Sequence, residues 1–124
     1  MSYDVEELKK KHKLLSEFKY DVSPVVKGYT SNTLYVNVST NEIKIKPVSD
    51  EMKAKFTGGK GFGLKLLWDA VTGDTKWDSP ENEINIACGP IGGNTNYAGS
   101  GKSIVTSISP MTNLSAHSTS PMTN

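Results

Sequence analysis

The stretch Phe56-Thr57-Gly58-Gly59-Lys60-Gly61-Phe62-Gly63-Leu64-Lys65-Leu66-Leu67-Trp68-Asp69 joins a glycine-dense loop directly to an apolar run. Glycine adopts backbone angles that other residues avoid and allows close approach, so this density predicts a sharp bend at close quarters. Apolar residues then recur at intervals of three and four from Leu64 to Val71, which predicts a helix over 61–71. Free N–H groups at such a helix start can hold an anion. A tight loop before a core-packing helix is the simpler interpretation, and both stay open.

Length and charge exclude several classes of protein. The 124 residues suit one domain, and the net charge of +1 provides no field that would steer nucleic acid to the surface. No apolar run is long enough to span a bilayer, and the N-terminus has no apolar signal core. Cys88 is the one cysteine, so no internal disulfide forms and a cytoplasmic location fits. We expect Cys88 to be a small buried hydrophobe.

Periodicity divides the chain into helices and strands of an α+β fold. A helix is predicted over 4–19, with Asp4 as its cap and His12 half-buried on it, and its lysines form a solvated face. Period-two alternation predicts half-buried strands whose first member carries Leu34, Val36 and Val38 on one face. The remaining predicted elements are strands over 33–38, 42–46, 84–88 and 103–108, a hairpin turn at 39–41, and short helices around residues 50–71. The first of these helices covers about 50–56, and either Ser49 or Asp50 is its cap.

One segment resembles a phosphate-binding P-loop without meeting its requirements. Asn96 to Ser103 ends in Gly-Lys-Ser, but Asn96 stands where that motif has its first glycine. A P-loop opens a helix, whereas Ser103 to Ile108 alternates and is rich in β-branched residues, which predicts a strand. Lys102 can still contact an anion. The long loop over 89–101 is itself typical of a functional segment.

The end of the chain contains a short repeat. Ser109-Pro110-Met111-Thr112-Asn113 recurs as Ser120-Pro121-Met122-Thr123-Asn124. The small polar residues between the two copies have little apolar area to offset the entropy of ordering. We therefore expect this tail to be disordered by itself and to be ordered only by a partner surface.

Several short motifs occur together in a fixed order: Gly28-Tyr29, Leu34 to Ile43, Phe56 to Gly63, Leu66 to Asp69, Ser79 to Asn82, Gly89-Pro90, Val105-Thr106 and Ser109-Pro110. In this order and spacing they resemble the N-terminal domain of the tungsten-containing aldehyde ferredoxin oxidoreductases, a family that includes related aryl-CoA-reducing subunits. The resemblance implies three segments: an N-terminal helical extension and linker over 1–27, the family-like domain over 28–113, and a Ser/Thr-rich tail over 114–124.

The resemblance implies a β-rich, incomplete base for a tungsten bis-pterin cofactor. An arginine follows the glycines before the fourth strand in the family, and Gly101 and Lys102 take that place here. Lys60 lies where many members have arginine. A later Asn-Ser-Gly-Gly segment of the family touches the cofactor's phosphates and magnesium, and the matching region here contains Thr119. The implied cofactor-binding residues are therefore Lys60, Gly101, Lys102 and Thr119, with no catalytic residue and no metal ligand.

The same resemblance implies an activity that this chain performs only with other polypeptide. Family members oxidise aldehydes to carboxylic acids, or run related low-potential reductions, and pass electrons through a four-iron cluster to ferredoxin. One cysteine cannot hold such a cluster. We expect a subunit or split fragment that binds the cofactor beside a larger chain of the family or in a homo-oligomer, and meets ferredoxin indirectly.

Two other functions fit the residues. The chain can be a non-catalytic, truncated relative that acts in assembly through an exposed sheet edge and its N-terminal helix. It can also be a small-ligand binding module that uses Lys102 and the loop over 92–101.

Overall fold

A computed structural model describes residues 4–96 and 100–112, together with the backbone of 115–121. The fold is α+β, as predicted. Its elements in chain order are α1 (Val5–Lys11), β1 (Asn32–Asn37), β2 (Glu42–Pro47), α2 (Asp50–Phe56), α3 (Lys60–Ala70), β3 (Asn85–Ala87), β4 (Lys102–Ile108) and β5 (Ser115–Pro121).

The strands form two separate antiparallel sheets. One is the β1–β2 hairpin, in which Leu34 pairs with Ile45 and Val36 pairs with Ile43. The other has the order β3–β4–β5. The tail was expected to be disordered by itself, and this expectation is wrong for 115–121, because β5 pairs with β4 along its whole length. Backbone pairing, which needs no apolar side chain, orders that part of the tail.

The packed core lies where α3 covers one face of β3 and β4. Leu67 of α3 is 3% exposed, and Thr106 of β4 is fully buried beneath the helix. A Cβ atom built on Gly63 would lie only 2.5 Å from Thr106 Oγ1. The predicted helix therefore forms, and one of its glycines lets the helix backbone lie directly on the sheet.

Local capping explains where two of the helices begin. The Ser49 hydroxyl accepts from the Met52 N–H at 3.1 Å and starts α2, so Ser49 and not Asp50 is the cap of this predicted helix. Asp4 accepts from the N–H groups of Glu6 and Glu7 and starts α1.

The predicted extent of the first helix is wrong, because α1 ends at Lys11 and residues 12–25 form neither helix nor strand. An isolated helix of this length is marginal in water, and Leu14 and Leu15 beyond Lys11 are 77% and 70% exposed, so they contribute little packing that would hold it. His12 is correspondingly an exposed residue in extended conformation, not a half-buried helix residue.

Several apolar residues that were predicted to face inward are exposed. The alternation of β1 is present, but Leu34 is 52% exposed and Val36 is 50% exposed, while Tyr35 is the half-buried neighbour. On β3 the same pattern recurs, because Ile86 is 71% exposed while its neighbours Asn85 and Ala87 are half-buried. Cys88 is exposed as well, so the prediction of a buried thiol is wrong. The apolar rows are present, but the described residues do not cover them.

The total accessible surface of the chain also shows that little apolar area is buried. The chain exposes 9990 Å². A compact monomer of this length exposes about 6,500 Å² by the usual scaling of surface with mass. Among the described residues, no helix has the length and apolar character needed to cross a bilayer.

Candidate functional site

Three glycine-containing segments that are distant in sequence meet at one place, which we call the glycine junction: Gly28–Tyr29, Thr57–Gly59 and Cys88–Pro90. The Tyr29 hydroxyl donates to the Thr57 carbonyl at 2.5 Å. The Gly59 N–H donates to the Cys88 carbonyl at 3.0 Å. The junction therefore ties the segment before β1, the loop before α3 and the loop after β3 to one another through backbone groups.

Close approach explains why glycine occupies two of these positions. Gly28 has φ of +82°, and a Cβ built on it would lie 1.9 Å from the Pro90 carbonyl oxygen. Gly58 has φ of +143°, and its Cβ would lie 3.2 Å from Pro90 Cδ. Any side chain at Gly28 would both strain the backbone and displace the Pro90 loop. The bend that the sequence predicts before α3 is present and is held by packing against Pro90.

The N-terminus of α3 projects from this junction. Gly59 is the residue that caps α3, and no side chain accepts a hydrogen bond there. Lys60 is the first residue of the helix and is exposed. The positive end of the helix dipole and the lysine charge are therefore next to each other in sequence and in space.

The start of β4 lies at the same end of the sheet. Ile104 Cδ1 would lie 3.5 Å from a Cβ built on Gly59, so the residues that precede Ile104 extend past the beginning of α3. Lys102 opens β4 and is exposed, and Gly101 directly precedes it. Thr119 is the register partner of Ile104 on β5. The four residues that the sequence indicates thus belong to elements that converge at one end of the β3–β4–β5 sheet.

The two lysines at this end have no carboxylate partner, a state that they share with other lysines of the described chain such as Lys76. Six lysines of the described chain form ion pairs with carboxylates, but neither Lys60 nor Lys102 does so among the described residues. Gly89 faces open space, because a Cβ built on it would meet no atom within 4 Å. Two unpaired cations beside open glycine backbone form a donor set that suits a phosphate group.

A second concave region carries no comparable free charge. A groove of about 350 Å³ lies between α2 and α3. Its lysines are Lys55, which pairs with Glu51 at 2.6 Å, and Lys65, which pairs with Asp69. Within the described part of the chain, no cluster of His, Cys, Asp and Glu could hold a metal ion.

The P-loop alternative is excluded by the structure, because a strand and not a helix follows Lys102. The contribution of Tyr29 was missed by the sequence analysis. Its ring stacks on Phe62 of α3 with centroids 6.2 Å apart, and Lys53 Nζ lies 5.8 Å from its centroid. The sequence contains a Gly-Tyr pair just before one strand and a Gly-Pro pair just after another. Neither pair indicates that the two segments are in contact.

Comparisons of this sequence with known proteins all indicate the same family. The family model described as "Aldehyde ferredoxin oxidoreductase, N-terminal domain" matches residues 33–123. A tungsten-containing aldehyde ferredoxin oxidoreductase of Pyrococcus horikoshii is 37% identical over 87 residues, which cover 68% of this chain. The aliphatic sulfonate oxidoreductase, WOR-like subunit, of Pyrococcus furiosus is 30% identical over 91 residues, or 69% of this chain.

A solved structure agrees with the sequence comparisons. The active site complex BamBC of benzoyl coenzyme A reductase, in complex with 1,5 dienoyl-CoA, superposes with a TM-score of 0.69 at 30% identity over 74% of this chain. The matched region amounts to 14% of that chain and to 14% of each of the two relatives above. The chain therefore spans about one seventh of the length of the proteins that it matches.

Proposed function

This chain belongs to the family of aldehyde ferredoxin oxidoreductase N-terminal domains, and from that membership we propose that it forms part of the cofactor-binding base of a tungstopterin oxidoreductase. The observation that carries the proposal is the convergence of Lys60 and Lys102, both without carboxylate partners in the described chain, beside the glycine junction.

The proposed role of these residues is to hold the phosphate groups of the pterin. Lys60 and Lys102 neutralise the phosphate charge, and glycine backbone at positions such as Gly101 lets N–H groups approach it closely. Lysine keeps the charge of the family's arginine but donates from a single point, so Lys102 holds a phosphate without the bidentate fork. Thr119 of β5 is the further residue that the family resemblance assigns to this contact. When bound, the cofactor supplies the redox chemistry at its metal.

Other polypeptide supplies the rest of the active site in this proposal. The matched region is about one seventh of the family's enzymes, and the exposed apolar rows on β1 and β3 are surfaces for further protein to cover. The iron–sulfur cluster and the substrate channel belong to that other polypeptide, because Cys88 alone cannot hold a four-iron cluster. The assembled enzyme oxidises an aldehyde to a carboxylic acid, or runs a related low-potential reduction, with ferredoxin as electron partner in the cytoplasm.

The experiment is metal analysis of the protein purified from its own cells without oxygen. We expect tungsten, with iron, to co-purify with this chain and a larger chain of the same family. The variant Lys60→Glu/Lys102→Glu should lose most of the tungsten while the two chains stay together, since it alters the phosphate contact and not the apolar rows. The matched control Lys10→Glu/Lys13→Glu, on the N-terminal extension, should keep the tungsten.

A different result would favour the second candidate function. A metal-free protein that associates only with itself would contradict the cofactor-binding role and support a truncated relative that acts in assembly. Its open sheet edges are the feature that supports this alternative.

A further inference from the structure

We infer that residues 17–23 dock as a third strand on the open edge of β1, antiparallel to it and within the same chain. These residues belong to the N-terminal extension, which precedes the region that matches the family. They form neither helix nor strand in the structure, and no other strand of the described residues pairs with the β1–β2 hairpin. The inference does not depend on the proposed cofactor role.

A tight turn directs this segment along β1. Val26 and Tyr29 exchange backbone hydrogen bonds of 2.9 and 3.0 Å across Lys27 and Gly28, which have φ of +51° and +82°. Two central residues with positive φ are typical of the two-residue turn that joins antiparallel strands. The chain before Val26 therefore runs back beside the chain that follows Tyr29.

A second contact continues the same register. The Asn32 side chain donates to the Ser23 hydroxyl at 2.6 Å, so Ser23 lies opposite the first residue of β1. Further pairs in this register are Val22 with Thr33 and Tyr20 with Tyr35. Pro24 stands opposite Ser31, which has φ of +60° and whose carbonyl accepts from the Val48 N–H at 2.8 Å. The ladder that begins at Val26 and Tyr29 is therefore interrupted at this pair, where Pro24 has no N–H to donate, and it resumes at Ser23 and Asn32.

The two edges of the hairpin differ in how they are protected. The edge of β2 carries Lys44, Lys46 and Pro47, which are the residues that proteins place on an edge to prevent further pairing. The edge of β1 has the sequence Asn-Thr-Leu-Tyr-Val-Asn, without charge or proline. Only the edge of β1 is open to a strand, and it is the one to which the turn leads.

The docking segment has the composition of a strand. Phe18, Tyr20 and Val22 alternate with charged residues, and all three are exposed in the structure. The rings of Phe18 and Tyr20 stack with centroids 6.4 Å apart, as side chains on one face of an extended segment do. Docking brings Tyr20 opposite Tyr35, whose ring already has Lys46 Nζ 3.8 Å from its centroid.

A third strand would stabilise the hairpin. A two-stranded ribbon is at best marginally stable in water, whereas three strands can persist. It also covers an edge that would otherwise pair with other molecules. The extension therefore acts as an edge cap that belongs to this chain.

Disulfide trapping tests the register. In a Cys88→Ser background, the pair Tyr20→Cys/Tyr35→Cys should close an intramolecular disulfide under mild oxidation at least about tenfold faster than the slipped pair Lys19→Cys/Tyr35→Cys, whose Cβ atoms point to opposite faces. Each pair introduces two cysteines and removes Tyr35, so the two variants are matched in composition apart from the neighbouring position. Intramolecular closure is read from migration of the monomer on a non-reducing gel.

Two results would overturn the inference: equal rates for the two pairs, or a disulfide that forms only between molecules. Cross-strand NOEs between residues 20 and 35 in the unmodified chain provide a second measurement that does not depend on the variants folding. Their presence supports docking, and their absence in a folded chain with an assigned hairpin overturns it.

Discussion

Two regions of this molecule differ in how far they bury their apolar side chains. Where α3 covers β3 and β4, Leu67 and Ile108 are removed from water and a fully buried Thr106 lies between helix and sheet. On the β1–β2 hairpin, Leu34 and Val36 form an equally regular apolar row that remains about half exposed. The first region is a small core that this chain completes, whereas the second is an apolar surface that the described residues leave about half exposed.

Truncating one leucine in each region gives the largest difference. We expect Leu67→Ala to lower the free energy of unfolding by about 2–5 kcal/mol, because it leaves a cavity beneath α3. Leu34→Ala should lower it by less than about 1 kcal/mol, because the side chain already contacts water. Urea denaturation followed by circular dichroism measures both. Equal losses would mean that the hairpin row is covered in solution, and the contrast between the regions would fail.

Glycine substitution tests how closely α3 lies on the sheet. Gly63→Ala should destabilise the chain by about 1–3 kcal/mol, because the new methyl group would lie 2.5 Å from Thr106 Oγ1. The matched control is Gly73→Ala, where a Cβ meets nothing within 4 Å, and its stability should stay the same or rise by up to about 1 kcal/mol. Thermal denaturation of the two variants provides the comparison. A tolerated Gly63→Ala would place the helix further from β4 than the structure has it.

The core also contains a polar atom without a hydrogen-bond partner. Thr106 Oγ1 is buried and unpaired among the described residues. Replacing it by a methyl group of similar shape removes a desolvated hydroxyl, so Thr106→Val should raise the free energy of unfolding by about 1 kcal/mol. Chemical denaturation measures the change. A loss of similar size would mean that the hydroxyl has a partner in solution, such as a water molecule.

The sequence predicted the elements better than their burial. Helix α2 and the span of α3 follow from signals a few residues apart: the Ser49 cap, and the spacing that starts at Leu64. The strands follow from alternation. Alternation alone, however, states that Leu34 and Val36 share a face and not that this chain covers it. Whether an apolar row is buried depends on the rest of the fold, and in the relatives that this chain matches the rest amounts to about six sevenths of the polypeptide.

The candidate site was predictable only through resemblance. Periodicity placed Lys60 at a helix start and Lys102 at a strand start, but nothing local indicates that these ends converge. The junction that brings them together depends on contacts between distant segments, such as Tyr29 with Thr57 and Gly28 with Pro90. Such contacts are set by packing and backbone approach, which a single sequence does not encode as a spacing.

The smallest expected effect concerns α2, which links the two regions. The hydrogen bond and the positive charge of Lys55 hold the pKa of Glu51 below its ordinary value of 4.5, with a lesser contribution from the charge of Lys65. A carboxylate with a lowered pKa stabilises the folded chain above its ordinary pKa, and that contribution is lost as the pH falls through the lowered value. Lys55→Met should therefore move the pKa of Glu51 upward, as carboxyl NMR titration will record.

The control for this change is Lys76→Met, a substitution of the same kind at a lysine that forms no ion pair with the residues described, and it should leave the Glu51 titration where it was. Because the Glu51 carboxylate is fully exposed, solvent screens the pair, and the midpoint of urea unfolding at neutral pH should move far less for Lys55→Met than for Leu67→Ala. An equal shift in the two midpoints would mean that α2 is held by charge and not by packing. The groove between α2 and α3 would then be a third region, which is stabilised by charge and is neither a packed core nor an exposed apolar surface.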